Sequence, residues 1–267
     1  MLSVIAKNLA TIREKTPLVQ AITNYVTIND CANILLCFGA SPAMCEAKSE
    51  VEEFVGLISA LYINIGTLTE EQYEASVLAV KKAAELNKPV VLDPVACGAI
   101  SRKTRIVEEL VSAGQITVIK GNMGEIKSLA GFAGKVRGVD SLDDGLDGAE
   151  ACISLARKYK TIVAATGATD IVSDGEQTCL IDNGVPMLTL ITGSGCMVGA
   201  LTAAAVGACE DKYSATVASI MAMGLAGEKA AKAVQKDLPG SFRVKLFDSI
   251  YTMTEDDVLK GGKVRCL

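Results

Sequence analysis

A glycine-rich turn that carries a cysteine, T-G-S-G-C-M, precedes a long run of small residues typical of a tightly packed helix. Backbone N–H groups at a helix start attract negative charge, and Gly193 and Gly195 let the backbone approach an anion closely. The turn therefore predicts an anion site with the Cys196 thiol beside it. The alternative is a tight turn with Cys196 packed in the core, because G-S-G matches neither common phosphate-binding template.

Further polar residues follow apolar runs that are typical of buried strands. Asp93 follows V-V-L, Lys120 and Asn122 follow T-V-I, and Thr166-Gly167 follows I-V-A-A. In open α/β sheets ligands bind outside the carboxyl ends of the strands, so we expect these side chains to lie at one edge. Each also has a structural interpretation as a turn residue, a helix cap or a solvated charge.

Two carboxylates suit a magnesium ion that accompanies a polyphosphate. Mg²⁺ prefers hard oxygen ligands and keeps several waters, which Asp93 and Glu125 could accommodate. Lys120 would then place a positive charge on the oxygens of a transferring phosphoryl group. Glu125 also lies three residues after Asn122, and this spacing equally predicts a capping pair at the start of a helix.

The absence of histidine from all 267 residues limits the possible chemistry. It excludes Ser-His-Asp and Cys-His nucleophile arrangements, so proton transfer would fall to carboxylates, Cys, Lys or Tyr. The nine cysteines form no C-x-x-C pair, and without histidine a zinc site is not expected. Most cysteines are predicted to be reduced, small and buried.

Charge and hydropathy indicate a cytoplasmic protein without nucleic-acid or membrane partners. The net charge is −5 with both signs mixed along the chain, and aromatic residues make up only 4%. No basic stripe is present that could follow a nucleic-acid backbone. The longest apolar runs fall far short of the ~18 residues that span a bilayer, and the N-terminus lacks the apolar core of a signal peptide.

The elements that position these residues alternate between strand and helix. The predicted strands are 61–66, 89–94, 117–122 and 161–167. Thr69 with Gln72 predicts a capping box at one helix start, and Ser49 with Glu52 predicts another. Continuous apolar strands separated by helices predict a parallel sheet that is covered on both faces.

The later part of the chain changes its pattern. Two short apolar runs separated by S-D-G-E after Gly167 predict a hairpin. The most loop-like segment is 134–145. We find neither a linker nor an internal repeat, and a chain of this length can bury a large core, so residues 1–267 are predicted to form one domain.

Several segments, taken together, resemble the hydroxyethylthiazole kinases of thiamine salvage. They are A-I-T-N-Y-V-T-I-N-D-C-A-N, G-A-S-P-A-M, I-N-I-G-T-L-T, V-L-D-P-V-A-C-G-A, I-K-G-N-M-G-E-I, A-A-T-G and T-G-S-G-C-M. The resemblance runs in matching order from about Leu2 to Met253. It implies a ribokinase-like three-layer α-β-α sandwich with a mostly parallel central sheet. It also implies transfer of the γ-phosphoryl group of ATP to the primary alcohol of 4-methyl-5-(2-hydroxyethyl)thiazole, in homotrimers with active sites between neighbouring subunits.

The resemblance further implies roles for particular residues. Met44 and Gly193 would contact the thiazole, with Asn24 near the substrate. Lys120 and Thr166 would hold ATP. Many relatives carry Arg where this chain has Lys120, and lysine keeps the charge but loses the bidentate fork of arginine.

The same resemblance places Asp93 and Glu125 around Mg²⁺, mostly through water, and Cys196 in the position of the catalytic base. A free thiol is only about 3% ionised at pH 7. A helix N-terminus lowers its pKa and a nearby triphosphate raises it, so the sequence leaves the direction open. Because phosphoryl transfer is largely dissociative, we expect Cys196 to assist only modestly.

Three alternatives to this function remain at this point. One is a ribokinase-like kinase for another small alcohol such as hydroxymethylpyrimidine, although S-P-A-M and N-Y-V-T-I-N-D favour the thiazole. Another is a catalytically weak nucleotide-binding protein, against which the intact Asp93, Glu125 and Lys120 argue. The third is a cysteine-nucleophile enzyme, which would lack a histidine partner.

Overall fold

The computed structural model describes residues 1–132, 146–235 and 238–267, and nine strands within these ranges form one sheet. The predicted loop at 134–145 lies outside the described residues. The strands are β1 (Leu18–Ile22), β2 (Ser41–Ala43), β3 (Ala60–Asn64), β4 (Val90–Asp93), β5 (Val118–Asn122), β6 (Ile162–Thr166), β7 (Asp170–Ser173), β8 (Thr178–Ile181) and β9 (Val264–Cys266).

The sheet order is β2-β1-β3-β4-β5-β6-β7-β8-β9. Strands β1 to β6 pair in parallel, and β7, β8 and β9 continue the sheet antiparallel. The mostly parallel α/β sheet predicted from the sequence is therefore confirmed. The strand order reverses between β1 and β3, and such a reversal leaves a crevice at the carboxyl ends of the two strands where ligands bind.

Helices cover both faces of the sheet. They are α1 (Leu2–Lys15), α2 (Ile28–Phe38), α3 (Val51–Val55), α4 (Glu70–Glu85), α5 (Ser101–Ala113), α6 (Met123–Leu129), α7 (Leu146–Tyr159), α8 (Ser194–Ala208), α9 (Lys212–Ala233), α10 (Pro239–Tyr251) and α11 (Glu255–Gly261), with a 3₁₀ turn at Pro186–Leu190. One apolar core includes α1, α2 and α8 to α11, and the other includes α3 to α7. The sheet therefore lies between two layers of helices, as in the predicted three-layer α-β-α sandwich. Within the described ranges every helix is too short or too polar to span a bilayer.

Helix α8 lies directly on the sheet, which explains its small residues. Most of it is buried, and it packs against β1, β3 and β4. A Cβ atom built on Gly199 would lie 2.6 Å from the ring of Tyr62 on β3. Only glycine permits this close approach, and the approach brings the start of α8 to the carboxyl ends of the strands.

Most of the predicted elements are present. The four predicted strands correspond to β3, β4, β5 and β6, the S-D-G-E hairpin joins β7 to β8, and the capping box of Thr69 and Gln72 begins α4. The capping box predicted for Ser49 and Glu52 is wrong. Helix α3 begins one residue later than that box requires, with Glu50 at the N-cap and no side-chain capping bond.

Candidate active site

Polar side chains from four strands and one helix meet at the β1–β3 crevice. Asn24 lies just after β1, Asn64 and Asp93 end β3 and β4, and Lys120 lies within β5. Cys196 lies in the first turn of α8, above them. Asp93 and Lys120 are only 2% and 3% exposed, so these charged groups are held inside the protein beside the crevice. The sequence prediction that strand-end residues gather at one edge is confirmed for Asp93 and Lys120.

The start of α8 has the geometry of an anion-binding turn. Its N-cap is Gly193 with φ +81°, and a Cβ atom there would lie 2.3 Å from Cγ2 of Thr27, so the turn requires glycine. The first N–H groups of a helix have no intrahelical acceptor. Lys120 Nζ donates to the carbonyl oxygen of Gly195 at 2.9 Å, which places a cation at the same point. The turn thus offers both N–H donors and positive charge to an anion.

Asp93 forms a buried ion pair with Lys120, with Nζ and Oδ2 3.4 Å apart. The same Oδ2 atom accepts a hydrogen bond from Asn64 Nδ2 at 3.0 Å and lies 3.2 Å from the Tyr62 hydroxyl. Burial raises the pKa of Asp93 to about 6, and the Lys120 charge opposes that rise. The negative charges around Lys120 outweigh its desolvation and raise its pKa, so Lys120 keeps its proton.

Cys196 is half-buried and its sulfur has polar neighbours. The Nδ2 atoms of Asn24 and Asn64 each lie 3.3 Å from Sγ. Burial raises the pKa of the thiol and Asp93 adds to the rise, whereas Lys120 and a hydrogen bond from Thr27 lower the pKa. The net direction is upward, so the thiol form dominates at neutral pH. Cys196 packs against the apolar core, as the alternative interpretation has it, and two amide groups also face its sulfur.

Glu125 is a helix-capping residue, as one of the two sequence interpretations has it. Its Oε2 accepts the backbone N–H of Asn122 at 2.8 Å, and Asn122 Oδ1 accepts the backbone N–H of Glu125 at 2.9 Å. Its Oε1 accepts the backbone N–H of Ala96 at 2.9 Å. A carboxylate offers about four acceptor sites, so both oxygens retain capacity for further donors or a cation.

No group of three or more histidine, cysteine or acidic side chains suited to a metal is present in the described part of the chain. Asp93 and Glu125 nevertheless belong to neighbouring parts of the crevice, and the negative charge of Glu125 helps raise the pKa of Asp93. Two carboxylates with spare oxygens fit an ion such as Mg²⁺ that completes its shell with water and phosphate.

Thr166 ends β6, directly opposite Asn122 of β5. Its hydroxyl donates to the carbonyl oxygen of Gly121 at 3.3 Å, and the next N–H, of Gly167, donates to Oδ1 of Asp170 at 2.9 Å. Burial raises the pKa of Asp170 to about 7. Thr166 therefore lies two strands from Asp93 along the same edge, with its following turn fixed by a carboxyl group.

Met44 belongs to the β1–β2 side of the crevice, whereas Asp93 and Lys120 belong to the β3–β5 side. Met44 follows β2, the edge strand, and is half-buried against the α8 side of the sheet. Three inter-strand steps separate β2 from β4, which is about 14 Å. The sheet order therefore separates the strand before Met44 from the strand that ends at Asp93.

Three site residues escaped the sequence analysis, namely Tyr62, Asn64 and Thr27. Tyr62 Oη lies 2.9 Å from the carbonyl oxygen of Cys196, and Asn64 contacts Asp93 and Cys196 together. A signal for two of them exists in L-Y-I-N-I-G. Tyr62 and Asn64 are two residues apart and so share one face of an otherwise apolar strand. A buried strand with two polar residues on one face indicates a polar site on that face.

A comparison with known protein families shows which family this chain belongs to. The model of the hydroxyethylthiazole kinase family matches residues 9–256. The chain belongs to the hydroxyethylthiazole kinase family. It is 57% identical over 265 residues to the hydroxyethylthiazole kinase of Clostridium novyi (strain NT), covering 99% of both chains. It is also 57% identical to that of Desulfitobacterium hafniense (strain DSM 10664 / DCB-2), covering 98% of both. The resemblance stated from the sequence motifs is confirmed.

Solved structures give the same relationship. The hydroxyethylthiazole kinase protein from Pyrococcus horikoshii OT3 superposes with a TM-score of 0.91 at 42% identity, covering 99% of each chain. The pyridoxal kinase from Staphylococcus aureus superposes with a TM-score of 0.60 at 14% identity, covering 94% of this chain and 98% of that one. The second comparison shows a common fold only, and it supports the predicted ribokinase-like architecture.

Proposed function

We propose that this chain transfers the γ-phosphoryl group of ATP to the primary alcohol of 4-methyl-5-(2-hydroxyethyl)thiazole, a reaction of thiamine salvage. The observation that carries the proposal is the anion-binding start of α8, beside Lys120 and Cys196, in a chain 57% identical to a hydroxyethylthiazole kinase over 99% of both lengths. The buried Lys120 ammonium, which donates to the Gly195 carbonyl, provides a positive charge next to that turn.

The phosphate oxygens would lie at the start of α8. Phosphoryl transfer passes through a loose transition state with charge on the three peripheral oxygens, so catalysis depends on positioning and charge neutralisation. The free N–H groups of the turn and the Lys120 ammonium supply both. Lys120 is held by Asp93 and by the Gly195 carbonyl, which keeps its charge directed at the turn. Thr166, at the end of β6, would bind ATP farther along the edge.

Mg²⁺ would be held by Asp93 and Glu125, mostly through water. When bound with ATP, the ion supplies further neutralisation of phosphate charge. Each Glu125 oxygen has one backbone donor, and this fixes the carboxylate while leaving acceptor sites for metal-bound water. Asp93 is ionised above its pKa of about 6, so it can serve at neutral pH.

Cys196 would receive the proton of the alcohol as its oxygen bonds to phosphorus. Asn24 and Asn64 direct N–H groups at the sulfur, which stabilises a thiolate when it forms. The raised pKa keeps the thiolate fraction small at neutral pH. A late proton transfer from the alcohol fits this weak base, and Cys196 would assist the reaction without dominating it.

The thiazole ring would lie against Met44 and Gly193, at a site shared between subunits of a homotrimer. Within one chain the strand before Met44 lies about 14 Å from the strand that carries Asp93, which supports a contribution from a neighbouring chain. Tyr25 and Val26, directly after Asn24, are 56% and 62% exposed and could pack in such an interface. We further propose that residues 1–267 act as one cytoplasmic kinase domain.

Comparison of two alcohols tests the proposal. The purified chain, Mg²⁺ and ATP are incubated with the thiazole alcohol or with a hydroxymethylpyrimidine, and ADP release is measured. We expect release with the thiazole at a kcat/KM at least about 10²-fold higher, because the two rings differ in shape and hydrogen bonding. Preference for the pyrimidine would establish a different alcohol kinase. Tight ATP binding with neither alcohol phosphorylated would establish a nucleotide-binding protein.

A further inference from the structure

The last strand places two cysteines opposite each other at the far end of the sheet. Cys179 of β8 and Cys266 of β9 are register partners. The neighbouring pair Thr178–Leu267 is hydrogen-bonded, with the Leu267 N–H donating to the Thr178 carbonyl. The pair Asp182–Lys263, three residues away in the other direction, is also hydrogen-bonded, with the Asp182 N–H donating to the Lys263 carbonyl. Hydrogen-bonded and non-hydrogen-bonded pairs alternate in an antiparallel ladder, so the two cysteines form a non-hydrogen-bonded pair.

This position brings the two sulfurs together without backbone movement. The Cα atoms of a non-hydrogen-bonded pair are about 4.5 Å apart, which is within the about 4.4–6.8 Å that disulfides span. Burial raises the pKa of Cys179 to about 11, and a side-chain hydrogen bond with Cys266 is the next cause. Both cysteines are reduced, and their register pairing places them side by side on neighbouring strands.

The two thiols differ in solvent exposure. Such a difference suits a reaction in which the exposed thiol attacks a reagent first and the buried thiol then displaces it. Cys266 is exposed, whereas Cys179 is 1% exposed and lies beneath it. The backbone around the pair is also fixed. Arg265 Nε donates to Asp182 Oδ2 at 3.0 Å, and Lys263 N–H donates to Asn183 Oδ1 at 2.7 Å. A small reagent can therefore reach Cys266, whereas Cys179 is shielded from solvent.

We propose that Cys179 and Cys266 form an oxidative modification site that reacts with small-molecule disulfides to give a cross-strand disulfide. The Cys266 thiolate attacks one sulfur of the reagent and expels a thiolate, which leaves a mixed disulfide on Cys266. Cys179 then loses its proton and attacks the Cys266 sulfur, and the second half of the reagent leaves as a thiolate. Two protein thiols are oxidised and one small disulfide is reduced to two thiols.

The product would link strand β9 covalently to strand β8. The new bond closes the long loop between β8 and β9, and it holds the edge strand in place. Such a bond restricts the unfolded chain, so the melting temperature should rise by about 4–10 °C. Four inter-strand steps, about 19 Å, separate β8 from β4 and the candidate active site, so the modification does not depend on the proposed kinase reaction.

The experiment treats the 267-residue chain with increasing ratios of oxidised to reduced glutathione, at about pH 8 because the thiolate is the attacking form. Non-reduced chymotryptic peptides are then mapped by mass spectrometry. We expect a Cys179–Cys266 link at ratios that leave the other seven thiols free, and loss of the link with dithiothreitol. Cys179→Ser should instead accumulate a glutathione adduct on Cys266, and Cys45→Ser should still form the link.

Two results would overturn the proposal. One is a stable glutathione adduct on Cys266 of the wild-type protein with no link to Cys179. The other is a link from Cys266 to other cysteines as often as to Cys179, which would mean that the terminal strand does not hold this register. The melting temperature is a second measurement. If oxidation raises it equally in Cys266→Ser and wild type, the bond between β8 and β9 is not the cause.

Discussion

Replacement of Cys196 by alanine should weaken the kinase reaction but leave it measurable. Burial and Asp93 raise the pKa of the thiol. An ordinary thiol is only about 3% ionised at pH 7, so the ionised fraction of Cys196 is smaller still. A fully ionised general base contributes about 10²–10⁴-fold, so a base ionised to no more than about 3% contributes at most about 300-fold. We expect Cys196→Ala to retain at least about 0.3% of the wild-type kcat.

Replacement of Asp93 by alanine should cost far more. It leaves the buried Lys120 ammonium without its carboxylate and removes an oxygen that we assign to Mg²⁺. Loss of a group that neutralises transition-state charge typically costs about 10²–10³-fold, and loss of the ion's anchor adds to this. We expect the kcat of Asp93→Ala to be at least about tenfold lower than that of Cys196→Ala.

The assay measures ADP release at saturating ATP and thiazole alcohol between about pH 6 and pH 9. Wild-type kcat should rise with pH as the thiolate fraction grows, whereas the kcat of Cys196→Ala should not follow that rise. Cys37→Ala, a half-buried cysteine on α2, is the matched control and should behave as wild type. A folded Cys196→Ala protein that binds ATP but loses more than about 10³-fold in kcat would refute this reasoning.

Three further predictions concern the same crevice. The wild-type kcat/KM should fall as the pH drops through about 6, because burial raises the pKa of Asp93 to that value and the ionised form is the active one. In Glu125→Gln this fall in kcat/KM should occur at a lower pH, since the Glu125 charge helps raise the Asp93 pKa. Asn64→Leu should reduce kcat by at least about tenfold and slow alkylation of Cys196, because a donor to Asp93 and to the thiolate is lost. Gly199→Ala should destabilise the fold by about 1–3 kcal/mol, because its Cβ atom would meet the Tyr62 ring, and calorimetry should show melting about 2–6 °C lower.

Each of these predictions has an outcome that would contradict it. If kcat/KM falls at the same pH in Glu125→Gln as in the wild type, the group that titrates is not Asp93. If Asn64→Leu alters melting but neither kcat nor the alkylation of Cys196, Asn64 is structural only. A Gly199→Ala protein as stable as wild type would show that α8 and β3 are not in close contact, and Gly240→Ala, whose Cβ atom meets nothing within 4 Å, is the matched control.

The sequence predicts the centre of the sheet better than its edges. Strands β3 to β6 are continuous apolar runs between helices, so hydrophobicity alone identifies them. Strand β9 has three residues, and it forms only because β8 offers an edge and Asn183 fixes Lys263, contacts that local sequence does not reveal. The Ser49 capping prediction failed because side-chain spacing does not specify where the backbone turns into the helix.

The residues of the candidate site that could be predicted are reactive side chains that follow an apolar strand. Asp93 and Lys120 end or nearly end their strands, and their convergence follows from the parallel order. Tyr62 and Asn64 were missed because they lie within a strand predicted only as buried. The pKa direction of Cys196 needed the structure, since burial and Asp93 oppose the helix start and Lys120. Met44 was assigned to the site by family resemblance alone, because a methionine after a short edge strand carries no chemical signal in the sequence.

Phosphorus NMR of the complete reaction tests the central claim most directly. The purified chain is mixed with ATP, Mg²⁺ and 4-methyl-5-(2-hydroxyethyl)thiazole, and the phosphorus signals are followed over time. We predict a new phosphomonoester signal that grows in step with ADP and is absent without the alcohol. Release of ADP and free phosphate with no ester, from protein that binds both ligands, would contradict the account.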